Sequence, residues 1–109
     1  MSITTYVSGR RYSGVTSSAP LVIYDIPIGS MIRIWPTSAG SATVYSTGSP
    51  ANIAAADTTN ANVTGSTNAR WTAWTAGAVV AETVQGAQMN QTAIAVVVTS
   101  GTWSVEVSA

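Results

Sequence analysis

The sequence predicts a single all-β domain built as a small antiparallel β-sandwich of about seven or eight short strands. Its 109 residues fit one domain, so residues 1–109 are treated as a unit. Short runs rich in Val, Ile and Trp alternate with polar residues, which is typical of half-buried strands. Gly, Pro, Ser and Asn separate these runs at the spacing found in sandwiches and barrels, which favours a jelly-roll or immunoglobulin-like order.

The N-terminal segment combines a strand pattern with two adjacent arginines. A first strand is predicted at residues 3–7, followed by Arg10, Arg11 and Tyr12. Residues 1–20 are interpreted as an extended N-terminal arm. The arm either docks onto a neighbouring subunit through guanidinium contacts or is a frayed, solvated terminus.

Residues 21–35 predict a β-hairpin whose turn contains Pro27 and Gly29. Proline suits an early turn position and glycine a left-handed one. Both faces of this hairpin are mostly apolar, and Trp35 lies on the second of them. We expect one face to pack in the core. The other should lie under a loop, in a central sandwich position or against a partner.

Residues 37–68 are dominated by Ser, Thr, Gly, Ala and Asn, which predicts loop. Residues 42–46 interrupt this composition with a short strand pattern. A second strand at 52–54 and a turn of helix at 51–56 are weaker alternatives, because the Thr and Asn residues that follow give a helix little support.

Residues 69–84 predict two strands on either side of Gly77. Trp71 and Trp74 are three positions apart, so a regular strand would point them to opposite faces, whereas a bulge would bring them together. With Arg70 they are either interface anchors, because Trp and Arg are frequent in binding hot spots, or core aromatics.

Residues 93–108 predict a second hairpin, with Ser100 and Gly101 as its two-residue turn. The proposed pairing places one set of residues on a core face: Val98 with Trp103, Val96 with Val105, and Ile94 with Val107. The opposite face is expected to be wet and carries Ala93, Ala95, Val97, Ser104, Glu106 and Ser108.

The residues available for chemistry are few. The chain has four Arg, four acidic residues, no His and no Cys. Triads that need His or Cys, thiolate zinc sites and His metal sites therefore cannot be assembled. We expect no enzyme activity, no catalytic residue, no cofactor and no metal, with a paired-carboxylate glycosidase as a distant alternative.

The same scarcity of charge limits the class of partner. Clustered cations, on which binding to nucleic acids and to anionic membranes depends, are missing from the sequence. The longest apolar run, residues 93–98, is too short to span a bilayer. Little long-range repulsion opposes contact with other proteins, which favours association with copies or neighbours.

The second half of the chain carries a resemblance. It contains Trp71-Thr-Ala-Trp-Thr-Ala-Gly-Ala-Val, a polar stretch, and then Thr92-Ala-Ile-Ala-Val-Val-Val-Thr-Ser-Gly-Thr-Trp-Ser-Val-Glu-Val. This order resembles small virion proteins of tailed bacteriophages of the capsid decoration, or cement, type. The likeness covers residues 69–108, with 25–34 fitting more loosely. It implies a virion protein made in the host cytoplasm, bound in many copies outside the head, that bridges major capsid subunits.

Two functional hypotheses follow. The first is a non-enzymatic, oligomeric decoration protein that contacts the major capsid protein, another virion protein or copies of itself. Its candidate interface residues are Arg10, Arg11, Tyr12, Trp35, Arg70, Trp71 and Trp74. The alternative is a carbohydrate-binding or host-recognition module of an adhesin or tail, with Trp71 and Trp74 as a platform for stacking sugars.

Overall fold

The computed structural model describes residues 2–6, 9–48, 59–67, 70–87 and 93–108. These residues form nine strands and one short helix. The elements are β1 Ser2–Tyr6, β2 Gly9–Val15, β3 Leu21–Tyr24, β4 Met31–Pro36, β5 Ala42–Thr47, α1 Asn60–Thr64, β6 Thr72–Val79, β7 Thr83–Gly86, β8 Ala93–Val98 and β9 Trp103–Ser108. The five-stranded sheet has the order β1-β2-β9-β4-β7, and the four-stranded sheet has the order β3-β8-β5-β6.

The strand pairing is that of a jelly roll. Antiparallel pairs join β2 to β9, β3 to β8, β4 to β7 and β5 to β6, as in one long hairpin of eight strands. Rolling this hairpin up adds the pairs β4 with β9 and β5 with β8. The result is the double-sheet arrangement of jelly rolls, and β1 extends one edge by pairing with β2. The predicted small antiparallel β-sandwich is confirmed.

Both predicted hairpins are wrong in their pairing, although their strands exist. β3 and β4 belong to different sheets, and so do β8 and β9. The segments 25–30 and 99–102 therefore cross from one sheet to the other. Alternation of apolar and polar residues determines which face of a strand is buried, but it does not determine which strand lies alongside.

The core lies between the two sheets and takes one face of β2 to β6, β8 and β9. The inward residues predicted for the C-terminal strands are all buried there: Ile94, Val96, Val98, Trp103, Val105 and Val107. Ile23, Ile32 and Ile34 fill the same space from β3 and β4. The predicted inward faces thus meet across the sandwich instead of side by side in one sheet.

A second apolar cluster covers the outer face of the four-stranded sheet. Val63 of α1 and Trp71 pack there against Ala93, Ala95 and Val97 of β8. All six residues of β8 are consequently buried. This corrects the expectation that Ala93, Ala95 and Val97 face solvent, because the helix and the segment after it lie over them.

Local hydrogen bonds hold this cover in place. Thr59 caps α1 by accepting a hydrogen bond from the Asn62 amide at 3.2 Å. Asn60 Nδ2 donates to the Ser17 carbonyl oxygen at 2.9 Å. Ser66 Oγ accepts from the Trp71 amide at 2.6 Å and donates to the Trp71 carbonyl oxygen at 2.9 Å. The predicted strand at 52–54 and helical turn at 51–56 lie outside the described residues.

Two other segments differ from expectation. The stretch 1–20, interpreted above as an arm, contributes β1 and β2, and β2 lies between β1 and β9. Gly77 does not separate two strands, because β6 runs through it with Gly77 at φ +64°. The register against β5 shifts between Thr43 and Tyr45. β6 is an edge strand, and bulges of this kind are common at sheet edges.

Candidate interaction surface

The two tryptophans proposed as a sugar-stacking platform lie on opposite faces of the four-stranded sheet. Trp74 belongs to the core between the sheets and is 5% exposed, whereas Trp71 lies in the outer cluster and is 6% exposed. The bulge in β6 does not bring them together. Because neither ring is presented to solvent, they form no surface platform in this chain. Arg70, just before them, is exposed.

Arg10 and Tyr12 point to the inner side of β2. Tyr12 is 8% exposed and packs in the core, which corrects its assignment as a surface contact. The guanidinium of Arg10 donates to the carbonyl oxygens of Tyr24 at 3.0 Å and Asp25 at 3.2 Å. Arg10 therefore links the five-stranded sheet to the end of β3 in the other sheet, a structural role.

Replacing Arg10 with methionine should lower the free energy of unfolding by about 1 kcal/mol, because two charge-assisted hydrogen bonds across the sandwich are lost. Urea unfolding followed by circular dichroism measures this change. Arg33→Met is the matched control, since it removes only an exposed ion pair of small value. Equal unfolding midpoints for the two variants would show that Arg10 does not link the sheets.

The outer face of the five-stranded sheet carries the remaining candidates. Since Ile32, Ile34, Val105 and Val107 point inward, their neighbours along the strands point outward. We define the contact face as Arg11, Met31, Arg33, Trp35, Glu82, Val84 and Glu106. It holds four of the eight charged residues in the sequence.

The charges of the contact face lie side by side across the strands. Arg11 is in register with Glu106, and Glu106 is in register with Arg33. Arg11 Nη2 and Nε donate to Glu106 Oε2 at 2.8 and 3.0 Å, and Arg33 Nη1 donates to Glu82 Oε2 at 2.6 Å. These exposed ion pairs contribute little to the free energy of unfolding, but they hold the charged side-chain groups at defined positions on the face.

Trp35 and Arg11 form a packed pair at the surface. The Arg11 guanidinium carbon lies 5.4 Å from the Trp35 ring centroid, a cation-π contact worth about 0.5–1 kcal/mol when exposed. Ser104 lies on β9, between the strands that carry Arg11 and Trp35, and this residue is only 5% exposed. Arg11 is thus restrained by both Glu106 and Trp35, so little side-chain freedom remains to be lost on binding.

Exposed apolar side chains complete the contact face. Met31 is 45% exposed and Val84 is 39% exposed. Aromatic residues, Met and Arg are enriched in protein interfaces. The composition of this face therefore suits a protein contact better than simple solvation.

Five members of the contact face were not singled out in the sequence: Met31, Arg33, Glu82, Val84 and Glu106. The available signal was the alternation of Met31, Arg33 and Trp35 along β4, which places them on one face. That these β4 residues lie near Arg11 and Glu106 depends on pairing between strands that are distant in the sequence. The alternation of residue types along one strand does not predict such pairing.

Within the described ranges, no three His, Cys, Asp or Glu residues come together as a metal site would require. The helix in these ranges is too short to cross a membrane. Comparison with protein-family models, with curated proteins and with solved structures finds no match to this chain.

Proposed function

We propose that this chain is a non-enzymatic structural protein of a bacteriophage particle, acting as a capsid decoration or cement protein. It binds the outside of the head and stabilises contacts between major capsid subunits. The observation that carries the proposal is the contact face, where Trp35, Arg11 and Met31 are presented together on a sheet. Through this face the chain meets its neighbours in the particle.

The fold is compatible with this role without deciding it. Jelly rolls recur in viral capsid proteins and also in lectins, so the choice rests on the site. A lectin that stacks sugars on Trp71 and Trp74 would need these rings at the surface, and both are buried. The resemblance of residues 69–108 to decoration proteins favours the virion role.

The proposed mechanism is burial of surface. Each Å² of apolar area removed from water contributes about 25 cal/mol. Trp35 is the natural anchor because it combines a large ring with a restrained neighbour, Arg11. Repetition of modest contacts over a lattice raises the total binding strength through avidity.

Binding to heads tests this proposal. Heads of the encoding phage, prepared without this protein, are mixed with purified chain and sedimented, and the bound fraction is measured. We expect saturable binding, weakened about 10-fold or more by Trp35→Ala, because truncating a hot-spot residue costs at least ~2 kcal/mol. Tyr24→Ala is the control, since Tyr24 is a 40% exposed aromatic residue outside the contact face.

Two results would contradict the proposal. One is the lack of any binding to heads by the folded wild-type chain. The other is specific binding of the chain to a glycan array combined with attachment to tails, which would make it a host-recognition module. Circular dichroism of each variant separates loss of binding from loss of folding.

A further inference from the structure

The charges of the contact face alternate in sign across the sheet. Along the strand order β2, β9 and β4, the charges in register are Arg11, Glu106 and Arg33. On β7 the residue in register with Arg33 is Val84, and Glu82, two residues before it, reaches Arg33 as an ion pair. The row therefore reads positive, negative, positive, apolar. Reversed end to end about the point between β9 and β4, it presents the opposite charge at its two central positions.

This pattern has a consequence for face-to-face packing of two copies. A two-fold axis parallel to the strands, between β9 and β4, places Glu106 of each copy opposite Arg33 of the other. The same axis places Arg11 opposite Val84, with Glu82 two residues before Val84 in the chain. An axis perpendicular to the strands would instead set each charge against itself, which is repulsive. The row favours one orientation of a symmetric pair.

We propose that the contact face is covered by the contact face of a second copy of this chain, in a two-fold dimer with the strands of the two copies aligned. This inference rests on the proposed use of the face as an interface and names its occupant. In the dimer the Glu106 carboxylate lies near Arg11 of its own copy and opposite Arg33 of the other. The neighbour that each copy meets through this face is then the second copy, and the dimer binds the head bivalently through its remaining surface. Trp35→Ala weakens head binding because it removes this bivalency.

The apolar members of the face fit the same arrangement. Trp35 and Met31 lie on β4, next to the axis, so both copies place them near the centre of the interface, where hot spots concentrate. Aligned packing of sheets about 10 Å apart is common. The four strands of the contact face, about six residues long on average, cover an area of roughly 19 by 20 Å, or about 400 Å². This is small against the ~800 Å² per partner of standard interfaces, so we expect micromolar affinity.

Charge reversal tests the dimer without disturbing the core. Sedimentation velocity of the 11.1 kDa chain at about 100 µM and low salt should show the wild type as a dimer that weakens as salt screens the pairs. Arg33→Glu alone and Glu106→Arg alone should each weaken association on the order of 100-fold, because like charges then meet across the axis. Arg70→Glu, with the same change in net charge as Arg33→Glu but away from the face, should remain dimeric.

Mixing the two variants gives the decisive measurement. A copy with Arg33→Glu and a copy with Glu106→Arg present opposite charges to each other at both central positions of the row, so the mixture should form a dimer although neither variant does alone. An intramolecular ion pair cannot produce this rescue. Monomeric wild type at 100 µM, or a mixture that stays monomeric, would overturn the inference. Head binding by a monomeric wild type would leave the proposed function standing.

Discussion

Replacing Gly40 with alanine is expected to lower the free energy of unfolding by about 2–4 kcal/mol. A Cβ at Gly40 would overlap the carbonyl oxygen of Ser100. Residues 37–41 are bonded to residues 99–102, for example by the Ser41 amide to the Ser100 carbonyl oxygen at 3.1 Å and by the Thr99 amide to the Ser41 carbonyl oxygen at 2.9 Å. Separating the loops to admit a methyl group would break these hydrogen bonds.

Urea unfolding measures this effect, and Gly29→Ala provides the control. Gly29 has φ +88° and open space around its Cβ position, so alanine there introduces backbone strain alone, about 1 kcal/mol. The difference between the two variants isolates the overlap between loops. If Gly40→Ala is no more destabilising than Gly29→Ala, the two crossover loops are not in contact.

The contact between these loops illustrates what the sequence does not specify. Ser100 and Gly101 carry a turn signal that fits a two-residue hairpin equally well, yet they lie in a crossover between sheets. The alternation in β8 and β9 correctly predicts Val96 and Val105 as core residues. The alternation does not predict which strands pair. The strands next to β8 are formed by residues 21–24 and 42–47, which are far away in the sequence.

The candidate interface is likewise predicted only in part by the sequence. Arg11 and Trp35 are predicted interface residues, and both lie on the contact face. Trp71 and Trp74 were selected for the same chemistry and are buried, because large aromatic rings suit cores and interfaces alike. Trp71 is buried in the outer cluster together with Val63 of α1, and composition predicted loop at the position of α1.

Replacing Trp103 with alanine is expected to have the largest effect of all, a loss of about 3–5 kcal/mol in the free energy of unfolding. The side chain is fully buried between the sheets, and its Nε1 donates to the Ser100 carbonyl oxygen at 3.2 Å. Domains of this size are stable by only about 5–15 kcal/mol. We therefore expect Trp103→Ala to lose a large share of this stability, and its urea unfolding midpoint, measured by circular dichroism, to fall further than that of any other variant.

Two further variants keep this prediction open to contradiction even if Trp103→Ala does not fold. Trp103→Phe retains a ring but loses the indole donor, and we expect a loss of about 1–3 kcal/mol. Trp35→Ala removes a partly exposed ring and should cost about 1 kcal/mol. If the Trp103 variants and Trp35→Ala had equal unfolding midpoints, Trp103 would lie at the surface. That position is incompatible with a strand β9 that lies between β2 and β4 in the sheet and points Trp103 into the core. The jelly-roll pairing, and with it the charge row of the contact face, requires Trp103 inside.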